Sequence, residues 1–274
     1  AEKILGRYPE ALESFDHALA INPKDASVFQ GRGDIFVLTG QFKDALESYL
    51  KARDLDPSLA GPLQGSIDRC IAFIQFSLNQ WREQGLFLLS QDEPVEAIRF
   101  FNKVLEVEPD QAEVLLKRSE ALIAVGRQEE ALSGLDRLVE LNPKDTGAWL
   151  RRTEILVRLG RPEEGAVSLD GVILDHPEIK DERILEAYIR TGDAMTGKGN
   201  YGGALSAYEI ALSIAPTNPP ALVGKGRALA MLDRPVEAAS VFDKALELEP
   251  GNLDIWVRKG IVLDMMGRFD EAIR

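Results

Sequence analysis

Prolines recur along this chain every 34 residues, and that interval restricts the fold more than any other feature. Pro23 and Pro57 are 34 apart, as are Pro109, Pro143 and Pro177, and again Pro216 and Pro250. Two gaps break the rule: 18 extra residues between Pro57 and Pro109, and 5 between Pro177 and Pro216. A fixed period of this length marks stacked supersecondary units, none of which can bury its apolar face alone. The most regular copy is 219–252, PPALVGKGRALAMLDRPVEAASVFDKALELEPGN.

Each copy reads as two amphipathic helices joined by a tight turn. In the second half, a small residue lies twelve positions before the proline: Ala11, Ala45, Ala97, Ala131, Gly165, Ala204 and Ala238. Four residues later stands a large one: Phe15, Tyr49, Phe101, Leu135, Leu169, Tyr208 and Phe242. A spacing of four puts each pair on one helical face, where the small residue admits a neighbouring helix. In the first half, Phe29, Trp81, Leu115, Trp149, Tyr188, Leu222 and Trp256 are followed four later by Gly33, Gly85, Ser119, Thr153, Gly192, Gly226 and Gly260. Mid-helix glycine costs about 1 kcal/mol against alanine, so its recurrence implies two backbones in close approach. A turn glycine recurs at Gly6, Gly40, Gly126, Gly160, Gly199 and Gly267, suited to a left-handed helix stop.

These offsets resemble the tetratricopeptide repeat family, whose pattern is an aromatic, Leu-Gly, Tyr, Ala, Phe, Ala and Pro in a helix-turn-helix. The resemblance covers essentially the whole chain apart from the two insertions. It implies an all-α fold, a right-handed α-solenoid of antiparallel helix-turn-helix hairpins. The repeats are 1–25 (partial), 26–59, 78–111, 112–145, 146–179, 185–218, 219–252 and 253–274 (partial). No polar cap closes either end, so a fragment of a longer array is expected. One departure is the position before the small residue, usually Leu, which here reads Arg32, Arg118, Arg152, Lys225 and Lys259. Long aliphatic stems can cover the interface while the charge reaches water.

Composition narrows the function classes. The net charge of −13 gives phosphate binding the wrong electrostatic sign, so neither nucleic acid nor anionic lipid is an expected partner. The single cysteine, Cys70, excludes an intramolecular disulfide, and its neighbours in CIAFIQF suggest a buried, inert thiol. No run reaches the roughly 20 apolar residues of a membrane helix, and no signal peptide is visible, so cytoplasmic is the default location.

No catalytic, cofactor or metal site is expected. His17 and His176 lie far apart without ligand spacing, and GKGNYGG at 197–203 coincides with an inter-helix turn rather than a phosphate loop. The pairs Glu129-Glu130 and Glu163-Glu164 sit at second-helix starts, where they favour the helix dipole.

The insertion 60–77, AGPLQGSIDRCIAFIQFS, spans five helical turns and so preserves helix phase. It predicts one helix from about Pro62 to Ser90 that extends the first helix of the third repeat by roughly 27 Å. Its apolar surface has two readings: an extra helix packed on the array, or an exposed contact or self-association surface including Ile67, Phe73, Ile74 and Phe76. The second insertion, 180–184, extends the following helix or its loop.

The resemblance implies that ligands use the concave face lined by first helices. Its fifth position supplies the aliphatic row Leu116, Leu150, Ile189, Val223 and Val257. Charged neighbours follow in Lys117, Glu120, Arg151, Glu154, Arg190, Asp193 and Arg227. Lys117–Glu120, Arg151–Glu154 and Arg190–Asp193 are i,i+3 neighbours that either pair within their helices or orient a ligand. Family members that clamp acidic chaperone tails add asparagines that this chain lacks. The glycosyltransferase relatives' asparagine ladder is also absent. The function expected is therefore a noncatalytic scaffold or adaptor that holds a peptide or helical segment of another protein in the groove. Two alternatives are a substrate-recruiting arm of a larger enzyme and a self-assembling array joined through the 62–90 helix.

Overall fold

In the computed structural model, which describes residues 7–175 and 182–272, every regular element among those residues is helical. His176, Pro177, Gly6 and the first two residues of the 180–184 insertion lie outside the described residues. The chain divides into two compact units, 1–114 and 115–274.

The first unit contains α1 (Tyr8–Ile21), α2 (Ala26–Leu38), α3 (Phe42–Leu55), a short 3-10 turn at Pro57–Leu59, α4 (Ala60–Ser90) and α5 (Pro94–Val107). Helix α6 (Ala112–Ala124) starts at its end and runs into the second. There follow α7 (Gln128–Leu141), α8 (Thr146–Arg158), α9 (Pro162–Asp175), α10 (Glu182–Gly197), α11 (Tyr201–Ile214), α12 (Pro219–Met231), α13 (Pro235–Leu248), α14 (Leu253–Met265) and the short α15 (Phe269–Ala272). Even-numbered helices from α2 to α14 are the first helices of hairpins, odd-numbered ones from α3 to α13 the second. The fold is the expected all-α solenoid class.

Four first helices begin on a side-chain cap: Asp25, Asp145, Asn218 and Asn252 each accept from a backbone N–H two or three residues on. Several second helices lack such a cap and begin with an arginine bridged to a glutamate three residues later. Arg127–Glu130, Arg161–Glu164 and Arg234–Glu237 close at 2.6, 2.6 and 2.7 Å. The hairpin turns rest on left-handed residues. Gly40, Gly126, Gly160 and Gly199 have φ between 70° and 77°, and Asp92 and Asp233 hold the same place at 61° and 58°.

The small-to-large pairing of the sequence is the hairpin interface. A Cβ on Gly33 would come within 2.5 Å of the Tyr49 ring, on Gly85 within 2.6 Å of Phe101, and on Gly226 within 2.7 Å of Phe242. Tyr208 is enclosed by Gly192 of its own hairpin and Gly224 of the next. Phe101, Phe242, Tyr49 and Tyr208 are fully buried, each contributing about 1.5–3 kcal/mol by burial. Tyr49 donates to Asp34 at 2.9 Å and Tyr208 to Asp193 at 2.8 Å, which satisfies phenols that burial and the adjacent carboxylate keep protonated.

The basic residues in the usual Leu position do more than snorkel. Arg32, Arg152, Lys225 and Lys259 each pair with an acid sixteen residues earlier, on the preceding hairpin: Asp16, Asp136, Glu209 and Asp243, at 2.6, 2.6, 2.9 and 2.6 Å. Their side chains are only 21–26% exposed, so successive hairpins are tied by a recurrent, partly shielded ion pair.

A single helix, α4, covers the first insertion, but it does not project into solvent. Its first half packs on α3 through Leu63, Ile67 and Cys70 against Ala45, Tyr49 and Ala52. Its second half packs on α5 through Leu78 and Gly85 against Ala97, Phe101 and Val104. Ile67 stands 34 residues after Gly33, where other copies carry a small residue. A bulky side chain fits there because the helix continues and no second helix folds back onto it. Ile67 is thus internal, at 3% exposure, and unavailable to a partner, which corrects the exposed-surface expectation for it. Ile74 is partly buried beside the Leu78 cluster. Phe73 stacks flat on Phe42 at 4.4 Å with one face open, and Phe76 is exposed. Cys70 is fully buried, and burial pushes its thiol pKa up, leaving it unreactive.

Candidate functional site

Within the second unit the first helices α8, α10, α12 and α14 adjoin one another in sequence, making a continuous face. Two openings lie on it. The larger, about 570 Å³, lies between α8 and α10; Gly147, Leu150, Arg151, Glu154, Val157 and Arg158 form one wall. Arg183, Glu186, Ala187 and Arg190 form the other. The smaller, about 410 Å³, lies mainly between α12 and α14, with Arg227, Ala230, Met231, Arg258, Ile261 and Met265 around it.

The predicted charged residues converge here, with different partners from those expected. Lys117 does reach Glu120, at 2.9 Å. Arg151 crosses to the same Glu120 on the preceding first helix at 3.0 Å instead of pairing with Glu154. Glu154 instead accepts from Arg158 at 2.7 Å, and Glu186 from Arg190 at 3.3 Å. Both are Glu-before-Arg pairs at i,i+4, the better orientation on a helix. Asp193 is occupied by the Tyr208 hydroxyl and lies 3.8 Å from Arg227. Two of the three expected i,i+3 pairs are therefore replaced, because an arginine stem spans to an adjacent helix as easily as along its own.

The aliphatic row is more consumed by packing than expected. Leu150, Ile189 and Val223 are partly buried against the clusters around Tyr188 and Tyr208. Leu116 is also partly buried, and Val257 is open at 60% exposure. Of the five, only Leu150 lines an opening. The open apolar area comes instead from Val157, Met231, Ile261 and Met265, of which the last three are half exposed or more. Met231 and Met265 lie one turn beyond Arg227 and Ile261, and Val157 three residues beyond Glu154, on the same stripe. Extending the i, i+4, i+8 series from Leu150 through Glu154 reaches Arg158, and from Arg227 reaches Met231. The spacing was present in the sequence; only its C-terminal turn was unread.

Among the described residues no group of three His, Cys, Asp or Glu could hold a metal ion, and no helix is long and apolar enough to cross a membrane. The face offers shape, guanidinium groups and thioethers.

Two family models match, both described as tetratricopeptide repeat, one over residues 5–60 and 189–252 and the other over 88–151 and 231–274. The chain belongs to the tetratricopeptide repeat family. Among solved structures, the tetratricopeptide fold aligns with MamA at TM-score 0.51 and 24% identity, covering 64% of this chain and 92% of that one. MamA AMB-1 aligns at TM-score 0.50 and 18% identity, covering 65% and 94%. YrrB, described as a TPR protein with an unusual peptide-binding site, aligns at TM-score 0.48 and 19% identity, covering 64% and 88%. No curated protein matches the chain.

Proposed function

We propose that this tetratricopeptide protein is a noncatalytic interaction scaffold that holds a segment of another protein along the face of α8, α10, α12 and α14. The observation that carries this is the pair of openings on one face of consecutive first helices, each large enough for side chains of a ligand. Their walls are first helices whose backs are locked by buried Tyr188, Tyr208 and Phe242. A face held this way is pre-organised and loses little entropy on binding. Family membership supports the scaffold role, since stacked hairpins present extended surfaces for partners.

The aliphatic row serves chiefly to set the helix spacing, so the test moves to Val157 and Met265. Met265→Glu alters a half-exposed position and Val157→Glu a partly buried one beside Gly165, so the melt is measured alongside. Proteins co-purified with the wild type should be lost from the double variant while its circular dichroism melt is retained. An unchanged set of partners would remove this face from consideration.

A further inference from the structure

One edge of α4 is bare from Gly65 to Phe87, and the reason lies in how its neighbours pack. In α2 and α12 the sixth residue of the repeat, Gly31 or Gly224, meets a ring of the preceding hairpin, Phe15 or Tyr208. At that place in the 78–111 repeat stands Glu83, which is exposed. Five helical turns earlier, Gly65 has the same phase, and nothing lies within 4 Å of its would-be Cβ. Both second helices that pack on α4 hold its opposite side, α3 through Leu63, Ile67 and Cys70 and α5 through Leu78 and Gly85. Lys43 at the start of α3 donates to the Glu106 carbonyl at the end of α5 at 3.4 Å, so the two follow one another along that side. The free stripe is Gly65, Arg69, Ala72, Phe76, Gln80, Glu83 and Phe87, exposed at every position. Steps of 4, 3, 4, 4, 3 and 4 residues keep it on one helical face over about 33 Å.

The stripe is complementary to its own reverse about Phe76. We propose that α4 pairs with α4 of a second copy of this chain, antiparallel, about a twofold axis at Phe76. Residues equidistant from Phe76 then face each other across the interface. Phe76 meets its counterpart once; Arg69 faces Glu83, Ala72 faces Gln80, and Phe87 covers Gly65, each twice. Phe76 and Phe87 are 63% and 57% exposed in one copy, so pairing shields four rings from water. The open space over Gly65 accepts a ring without displacing any atom. Arg69 donates to the Ser66 hydroxyl at 3.0 Å and Glu83 lies 3.5 Å from Arg82, contacts that leave both groups further hydrogen-bonding capacity. Parallel pairing would set Arg69 against Arg69 and Glu83 against Glu83, so charge selects the antiparallel form. A contact about 33 Å long and about 10–12 Å wide covers about 350–400 Å² per copy, below the roughly 800 Å² per partner of a standard interface. The dimer is therefore reversible, half-associated at roughly 0.1 mM protein.

Sedimentation equilibrium of the full chain tests the pairing, in about 0.15 M salt, where screening over about 8 Å removes most of the repulsion between two acidic chains. The wild type should fit a monomer–dimer equilibrium. Arg69→Glu alone, or Glu83→Arg alone, sets like charges face to face twice and should weaken the dimer about tenfold. Mixing the two single variants should restore a heterodimer to within about threefold of the wild type, because both cross-pairs are again opposite in sign. The double variant Arg69→Glu, Glu83→Arg should pair with itself as well as the wild type does. Phe76→Asp should be monomeric at every concentration reached. All three positions are exposed, and circular dichroism melts of dilute protein check that each variant is folded. A wild type that stays monomeric to about 1 mM would overturn the proposal. So would a dimer indifferent to the single charge changes, or one weakened by each and not recovered in the mixture.

Discussion

Gly33→Ala is the substitution through which the packing account makes its sharpest demand. Alanine is the better helix former by about 1 kcal/mol, so in an open helix the change would stabilise. Here the added Cβ would lie 2.5 Å from Tyr49 Cε1 and 2.7 Å from Cδ1, against about 3.5–4.0 Å for ordinary carbon contact. Something must yield by about 1 Å. The ring cannot slide cheaply, because it is 2% exposed and its hydroxyl is held by Asp34 at 2.9 Å. Overpacking of this kind costs about 1–3 kcal/mol, so the propensity gain is cancelled at least and a net loss of up to about 2 kcal/mol is expected. Gly65 in α4 is the control. It has nothing within 4 Å of its would-be Cβ, so Gly65→Ala should stabilise by up to about 1 kcal/mol. Urea unfolding followed by circular dichroism, with m-values compared, measures both. In a Tyr49→Leu background the penalty of Gly33→Ala should shrink or reverse. If Gly33→Ala and Gly65→Ala shifted the midpoint alike, the close-approach explanation for the conserved spacing within this chain would be wrong.

Three further outcomes follow from the same structure. Ile67→Asp should unfold the first unit, costing more than 3 kcal/mol for a buried, unpaired carboxylate or its protonation, whereas Phe76→Asp should change thermal stability by about 0.5 kcal/mol or less; light scattering on Phe76→Asp then asks separately whether that exposed ring supports self-association. Glu130, Glu164 and Glu237 have pKa values held below the usual 4.5 by hydrogen bonds from Arg127, Arg161 and Arg234, so their contribution is full above the ordinary glutamate range and lost as pH falls through the lowered folded values. Replacing the three arginines by glutamine should flatten the acid limb of a melting-temperature-against-pH curve below about pH 4, with little change at neutral pH. Finally, Arg152→Met should cost about 1 kcal/mol or less, because Asp136 stays solvated, and combining it with Asp136→Asn should cost no more than the single change.

The hairpin interface was legible because close packing forces a residue-size rule: Gly33 opposite Tyr49 and Gly226 opposite Phe242 show at fixed offsets whatever the surrounding residues. Helix α4 was legible in extent from the 18-residue insertion that preserves helix phase, yet its packing was not. Its turns serve two different second helices, and the clue was Ile67 at a position that elsewhere is small. The ion pairs between hairpins went unread because their partners are sixteen residues apart, outside any single helix. On the proposed binding face, Arg151, Glu154 and Arg190 follow from helical periodicity, while Arg158, Met231 and Met265 lie a turn further along. Partial burial of Ile189 and Val223 depends on how tightly α8, α10 and α12 stack, a tertiary quantity that a one-helix pattern does not contain.

The most direct test of the scaffold claim is site-specific photo-crosslinking in cell extract, with a benzoylphenylalanine placed at Arg158 on the first-helix face or at Ser206, exposed on α11. The account predicts a discrete partner adduct from position 158, lost when Met265→Glu is added, and none from position 206. A discrete adduct from 206 with none from 158 would contradict it.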